Sequence, residues 1–255
     1  MNAPGTAVTI YVPRDSAALA VGADEVAAAL QAECTRRGVA LNLVRNGSRG
    51  MFWLEPLVEV VTPAGRVAYG PVAPDDIASL FDAGLPTGSA HPLCHGLTDQ
   101  IPYLAKQERL TFARMGITDP LSLTDYEAHD GFKGLRAALA LAPEAIVQQV
   151  LDSGLRGRGG AAFPTGIKWK TVAAAAAAQK YIVCNADEGD SGTFSDRMTM
   201  EGDPYMLIEG MTIAALATGA SDGYVYIRSE YPDAVATMRD AVARATAAGF
   251  LGDDV

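Results

Sequence analysis

Residues 180–193 read KYIVCNADEGDSGT, and the change of character halfway along this stretch decides the fold. Residues 180–185 form a short apolar run with β-branched Ile182 and Val183, the pattern of a buried strand. Asp187, Glu188 and Asp190 then alternate with Gly189, which ends the strand and opens a turn. Outward from this point helices and short strands alternate. Pro143 opens a helix that stops at Ser153-Gly154, residues 205–218 read as a helix stopped by Gly219, residues 223–228 as a second strand, and residues 232–248 as a further helix. The alanine run at 173–178 is expected to extend a helix that follows Trp169. Strands separated by helices predict an α/β fold with a parallel, Rossmann-like sheet, whose ligand lies at the carboxyl ends of the strands.

Upstream of the strand, residues 154–169 read GLRGRGGAAFPTGIKW, with five glycines between positions 154 and 166. Glycines leave backbone N–H groups uncovered, and Arg156, Arg158 and Lys168 surround them with positive charge, which makes an anion cradle. The whole chain carries 20 Lys+Arg against 30 Asp+Glu, a formal charge of −10, so the local reversal of sign suits a phosphate-bearing cofactor. A surface loop with solvated arginines is the alternative, and Phe163 and Trp169 stand against it. The spacing is neither a Walker A sequence nor the usual dinucleotide fingerprint. At the strand end, the carboxylates of Asp187, Glu188 and Asp190 suit ribityl or ribose hydroxyls, and the Asn185 amide suits a heterocyclic edge. The same acidic turn equally suits the cap of a helix beginning near Phe194. No second group of hard oxygen ligands is visible, and no metal is assigned.

The first third of the chain has a different pattern. Residues 8–14 read as a strand; residues 24–37 as a helix with Val26, Leu30 and Cys34 on one face and Gly38 as its stop; and residues 39–44 as a strand. Residues 57–62 and 66–69 flank the turn Pro63-Ala64-Gly65, and residues 74–83 close with a helix. The order βαβββα is that of a small thioredoxin-like sheet, and equally of another small α/β module. A helix is expected around 104–115. The expected division is 1–88, then a connector at 89–125 that packs on the second domain, then 126–255. A chain of 255 residues, 49% hydrophobic and 20% charged, is long enough for two cores. It has no apolar run of the ~18 residues a membrane span needs, and no basic-then-apolar leader. Three widely spaced cysteines fit a reducing compartment and cannot alone ligate an iron–sulfur cluster. A cytoplasmic protein that binds neither nucleic acid nor membrane is expected, with His91, His95 and His129 in surface or structural roles.

The run GLRGRGGAAFPTGIKW, followed by YIVCNADEGDSGTFSDR, LIEGM and YIRSEY, resembles the NADH-binding flavoprotein family of the large flavin subunit of respiratory complex I and its relatives in hydrogenases and formate dehydrogenases. The resemblance covers about residues 101–252. It implies FMN between the glycine loop and the NADE segment, with NADH stacked on the flavin and no catalytic side chain in the hydride step. By position it implies FMN contacts at Gly157, Arg158, Gly159, Lys168, Asn185, Asp187 and Glu188. On the nucleotide side it implies Gly160, Ala161, Phe163 as an aromatic wall, and Asp190 where the family has a glutamate. Phe163 has the alternative of a core residue that pins the loop. Ala162 replaces a family glycine, and Ser229-Glu230-Tyr231 replaces a GEY tripeptide. Family members continue with a second flavin segment and a [4Fe–4S] domain, so the chain is expected to be an N-terminal fragment, with that cluster present only if the chain continues beyond Val255. In residues 1–88, Ser48 and Phe52 stand where thioredoxin-like ferredoxins have thiolates, which implies no [2Fe–2S] cluster there. This combination resembles the β subunit of NAD-dependent, molybdenum-containing formate dehydrogenases. It implies a thioredoxin-like [2Fe–2S] subunit and a formate-oxidising molybdenum subunit as partners. A diaphorase of a hydrogenase or of complex I, or a non-catalytic docking module, are the alternatives.

Overall fold

In the sequence VTIY, Val8 and Ile10 alternate with Thr9 and Tyr11, and this period of two makes β1 (Val8–Tyr11) a strand with one buried face. The computed structural model describes residues 7–190 and 192–252. They group into two units, one up to Ser122 with Glu201–Asp203, the other Leu123–Met200 with Pro204 onward.

In the first unit, β1 leads through α1 (Ser16–Leu19) and α2 (Ala23–Arg37) to β2 (Leu41–Val44), which pairs parallel with β1. The α2 helix carries Asp24 and Glu25 in its first turn, Arg36 and Arg37 in its last, and Gly38 in the left-handed conformation at its end. Those charges complement the helix dipole, and the glycine closes the helix without a Cβ penalty. The hairpin β3 (Val58–Thr62) and β4 (Gly65–Tyr69) adds antiparallel to β1, and α3 (Ile77–Asp82) follows. The order β2-β1-β3-β4 is the thioredoxin-like arrangement expected. Ile10, Val12, Val26, Leu30, Val58, Val60, Tyr69 and Leu80 share one core, and Cys34 is buried within it.

The segment expected as a connector differs from that reading. Cys94–Leu97 forms β5, which pairs antiparallel with β4, and Ile101 and Leu104 close a second small core with Met51, Leu54, Leu57 and Ala68. The helix expected at 104–115 is absent: only α4 (Pro102–Ala105) forms. Leu104 is buried whereas Leu110 is 84% exposed, so no continuous apolar face exists to stabilise a longer helix.

The second unit runs through α5 (Leu123–Ala128), α6 (Lys133–Leu139), α7 (Pro143–Asp152) and α8 (Thr165–Ala174) to β6 (Tyr181–Ala186). Then come α9 (Ser195–Gly202), α10 (Pro204–Thr218), β7 (Asp222–Ile227) and α11 (Pro232–Ala247). The strands β6 and β7 are parallel and in register from Tyr181↔Asp222 to Ala186↔Ile227. Ala138, Ile146, Val147 and Ala217 form the helical core. Glu209 of α10 accepts hydrogen bonds from the N–H groups of Phe132 (2.8 Å) and Leu135 (2.9 Å), which satisfies the start of α6.

Two expectations are corrected here. Only Ala173 and Ala174 of the alanine run belong to α8, which ends there with Ala175 extended. Lys180 Nζ donates to the carbonyls of Ala173 (2.9 Å) and Thr218 (3.0 Å), so a cation closes the C-terminal turns of two helices where the exposed alanines offer no anchor. The strand expected to be buried is open on one face: Tyr181, Val183, Tyr224 and Tyr226 are between 53% and 62% exposed. Among the described residues, no helix is long and apolar enough to cross a membrane.

Candidate functional site

The glycine loop joins α7 to α8. Gly166 is the pivot, because a Cβ there would lie 2.6 Å from the Leu151 nitrogen, so the start of α8 packs against the end of α7 only with glycine. The loop then closes on itself. Arg156 and Pro164 form an antiparallel bridge, Gly157 N donates to Phe163 O at 2.9 Å, and Thr165 N donates to Leu155 O at 2.9 Å. Arg156 belongs to this closure, since its Nε donates to Ala162 O at 2.8 Å. Gly157, Arg158, Gly159, Gly160 and Ala161 form the exposed tip, and a Cβ on Gly159 would meet nothing within 4 Å. Phe163 is 49% exposed, which removes it from the core. Lys168 is exposed on the first turn of α8, directly after the loop.

The acidic turn leaves the carboxyl end of β6. Asn185 is exposed and stands opposite Tyr226 of β7, and its Oδ1 accepts from Asp187 N at 3.2 Å. Glu188 adopts φ +44°, a left-handed conformation that a side chain disfavours. Its carboxylate is engaged by α9: Oε1 accepts from Asp196 N (2.8 Å) and Ser195 Oγ (3.2 Å), and Oε2 from Arg197 N (3.2 Å). Burial alone would raise the Glu188 carboxyl, but the N–H groups of Asp196 and Arg197, the Tyr231 hydroxyl and Ser195 outweigh it and hold the group below the ordinary carboxylate range. The capping reading of this turn thus describes Glu188, whose carboxylate caps α9. Asp187 is half-buried and Asp190 is exposed, and neither belongs to the cap.

Sequence reasoning did not single out Arg228, at the end of β7. Its Nη1 donates to Glu188 O at 2.8 Å, its Nη2 reaches Glu230 Oε1 at 3.2 Å, and its guanidinium lies 5.3 Å from the centre of the Tyr231 ring. The signal was the strand-end arginine of YIRSEY followed at two residues by a glutamate. Parallel pairing brings the turn after β6 and the segment after β7 to the same end of the sheet. Among the described residues, no hydrogen bond joins the glycine loop to the acidic turn.

In the first unit, Ser48 is buried and its Oγ donates to Glu55 Oε1 at 2.7 Å, while Phe52 is 41% exposed. Leu57 N also donates to Glu55, at 2.9 Å. Burial, then the charge of Asp15, pushes the Glu55 carboxyl up to about 8. Among the described residues, no group of three His, Cys, Asp or Glu side chains is placed to hold a metal ion.

Residues 150–254 match the family described as the Nuo51 FMN-binding domain. The chain is 49% identical over 146 residues to a subunit of NADH-quinone oxidoreductase of Rhizobium meliloti (strain 1021), a stretch that is 57% of this chain and 35% of that protein. It is 48% identical over 150 residues to the HndC subunit of the NADP-reducing hydrogenase of Solidesulfovibrio fructosivorans, 59% of this chain and 30% of the relative. Among solved structures, an NAD+-reducing [NiFe]-hydrogenase in the air-oxidized state aligns over 98% of this chain and 42% of its own, with 23% identity and a TM-score of 0.46. The chain spans about a third of the length of the curated relatives it matches.

Proposed function

Since residues 150–254 make this chain a relative of the flavin subunit of complex I, we propose that it holds FMN and NAD(H) as part of an NAD(H):FMN oxidoreductase. One observation carries the reading: within the matched segment, Asn185 and Asp187 stand at the carboxyl end of a parallel strand pair, where α/β sheets place their ligands. The donor set fits the cofactor. Arg158 and Lys168 are exposed cations for the phosphate, and Gly159 leaves backbone open to it, whereas the Gly157 N–H is spent on Phe163 O and that residue contributes by shaping the loop. Asn185 offers an amide to a heterocyclic edge, and Asp187 accepts from hydroxyls. Glu188 contributes through the turn it shapes, its carboxylate being committed to α9. Gly160, Ala161, Phe163 and Asp190 form the nucleotide side, with the half-exposed Phe163 ring as a stacking wall. When bound, FMN supplies the chemistry, exchanging a hydride with nicotinamide and single electrons with iron–sulfur clusters. The protein aligns the rings and needs no side-chain acid or base for the hydride step.

The electron-accepting complex is a further part of the proposal. The formate-oxidising molybdenum assembly, with its [2Fe–2S] thioredoxin-like subunit, is the reading from residues 1–88, where Ser48 and Phe52 stand in place of thiolates and the Ser48 hydroxyl serves Glu55. The similarity to subunits of NADH-quinone oxidoreductase and of an NADP-reducing hydrogenase favours a diaphorase of either of those complexes at least as well. A [4Fe–4S] cluster enters only with chain beyond Val255, and a cytoplasmic location goes with either setting. The test is FMN titration of the purified full-length gene product, followed by NADH addition. Quenched flavin fluorescence and bleaching by NADH are expected. A folded chain that takes up no FMN refutes the reading and leaves a docking module.

A further inference from the structure

Both segments of the proposed site contain a non-glycine residue in the left-handed region, Ala162 at φ +50° and Glu188 at φ +44°. A Cβ makes that conformation unfavourable, so surrounding contacts must hold it. In each case a guanidinium grips that residue's own carbonyl oxygen. Arg156 Nε donates to Ala162 O at 2.8 Å, and Arg228 Nη1 donates to Glu188 O at 2.8 Å. Each arginine is in turn anchored. The Arg156 backbone bridges to Pro164, and the Arg228 guanidinium is tied to Glu230 and lies against Tyr231.

We propose that Arg156 and Arg228 are a pair of positioning residues that fix the peptide planes Ala162–Phe163 and Glu188–Gly189, and thereby set the direction of two backbone N–H donors for the flavin nucleotide. A peptide unit is planar and trans, so its N–H is directed opposite to its C=O. Drawing the Ala162 carbonyl toward Arg156 therefore turns the Phe163 N–H the other way, and Arg228 does the same for Gly189. Cations that hydrogen-bond carbonyls in this manner do not serve as phosphate ligands at the same nitrogen, which leaves that task to Arg158 and Lys168. Preorganised donors of this kind cost no rearrangement when a ligand arrives, so losing one clamp lowers affinity without removing any contact group.

The proposal rests on the FMN reading of the site, and its test separates the two. Arg156→Leu, Arg156→Lys, Arg228→Leu and Arg228→Lys are made in the full chain. Backbone hydrogen exchange of the FMN-free protein is measured over residues 155–164 and 187–194, and FMN affinity is measured by fluorescence quenching. Each Leu variant is expected to speed exchange in its own loop alone and to weaken FMN binding about tenfold, the loss of one charge-assisted hydrogen bond. Each Lys variant should recover part of both, because an ammonium also donates to a carbonyl. Unchanged exchange and affinity in the Leu variants overturn the proposal. So does faster exchange spread across the whole second unit, which marks general destabilisation. A wild-type chain that binds no FMN refutes the cofactor reading instead, and loop exchange in the FMN-free variants still decides whether the clamps exist.

Discussion

Replacing Glu188 by alanine takes away the carboxylate on which the first turn of α9 depends. Three hydrogen bonds to α9 disappear, from Asp196 N at 2.8 Å, Ser195 Oγ at 3.2 Å and Arg197 N at 3.2 Å. Losing a side-chain cap costs ~0.5–2 kcal/mol, and removing a negative charge from a helix N-terminus costs a further ~0.3–1 kcal/mol. The group is partly exposed, so solvent screening trims the charge contribution and leaves ~1–2 kcal/mol in all. Alanine inherits the left-handed conformation at position 188, so no relief of backbone strain offsets the loss. For a chain of this length ~1 kcal/mol moves the melting temperature by about 2–4 °C, which makes the expected fall about 2–8 °C at pH 7. Glu188→Gln keeps one acceptor oxygen and should lose about half as much.

The pH dependence follows from the sign of the shift. The hydrogen bonds hold the Glu188 carboxyl below its ordinary value, so the stabilisation is present above the unfolded value of ~4.3 and is lost as pH falls through the lower folded one. The gap in melting temperature between wild type and Glu188→Ala should therefore close toward strongly acidic pH. Circular dichroism melts across pH, run beside FMN titrations, decide the matter. If Glu188→Ala melts with the wild type yet loses FMN, the carboxylate is a cofactor ligand and the reasoning from its cap is wrong.

In the first unit, Glu55 is pushed up to about 8, so its proton stabilises the fold below the unfolded value of ~4.3 and that contribution is lost as pH rises through about 8. Wild type should lose melting temperature between pH 5 and pH 9 while Glu55→Gln, a mimic of the protonated acid, stays level; parallel pH slopes would contradict the buried neutral carboxyl. Ala162→Gly relieves ~1 kcal/mol of left-handed strain but gives back ~0.4–1 kcal/mol in unfolded-chain entropy, so its melting should hardly move. Ala162→Val puts a β-branched side chain at φ +50° and should melt clearly lower, and a wild-type melt for that variant would sink the assignment. In the complete subunit, Phe163→Leu should raise the NADH Michaelis constant about two- to tenfold through lost stacking of ~0.5–1.5 kcal/mol, with melting unchanged because the ring is 49% exposed. Loss of FMN with NADH kinetics intact would place that ring in the scaffold.

The elements that the sequence revealed are those whose stability is local. The face of α2 formed by Val26, Leu30 and Cys34, the glycine that stops it, and the turn between β3 and β4 each carry their own signal within a few residues. The elements it hid depend on distant partners. Cys94–Leu97 is a strand because β4 has an open edge, and CHGL on its own has no period-two pattern to announce that. The alanine run has the highest propensity for helix but no apolar face to bury, and Lys180, bonded to the carbonyls of both Ala173 and Thr218, closes the helix despite that preference. The candidate site divides in the same way. Composition located the glycine loop and the acidic turn, because a cluster of glycines and like charges is visible in one dimension. It could not apportion those charges, since a guanidinium aimed at a phosphate and one folded back on a carbonyl look identical in sequence. Arg156 and Glu188 turn inward to the backbone, on Ala162 and on the first turn of α9, while Arg158, Lys168 and Asn185 stay exposed and Asp187 half-buried, which is why these four are the ones proposed for the cofactor. The strained residues follow from that partition: Ala162 and Glu188 hold left-handed conformations where an arginine bonds the carbonyl of each, which ties the shape of each loop to side chains whose hydrogen bonds are made within the protein.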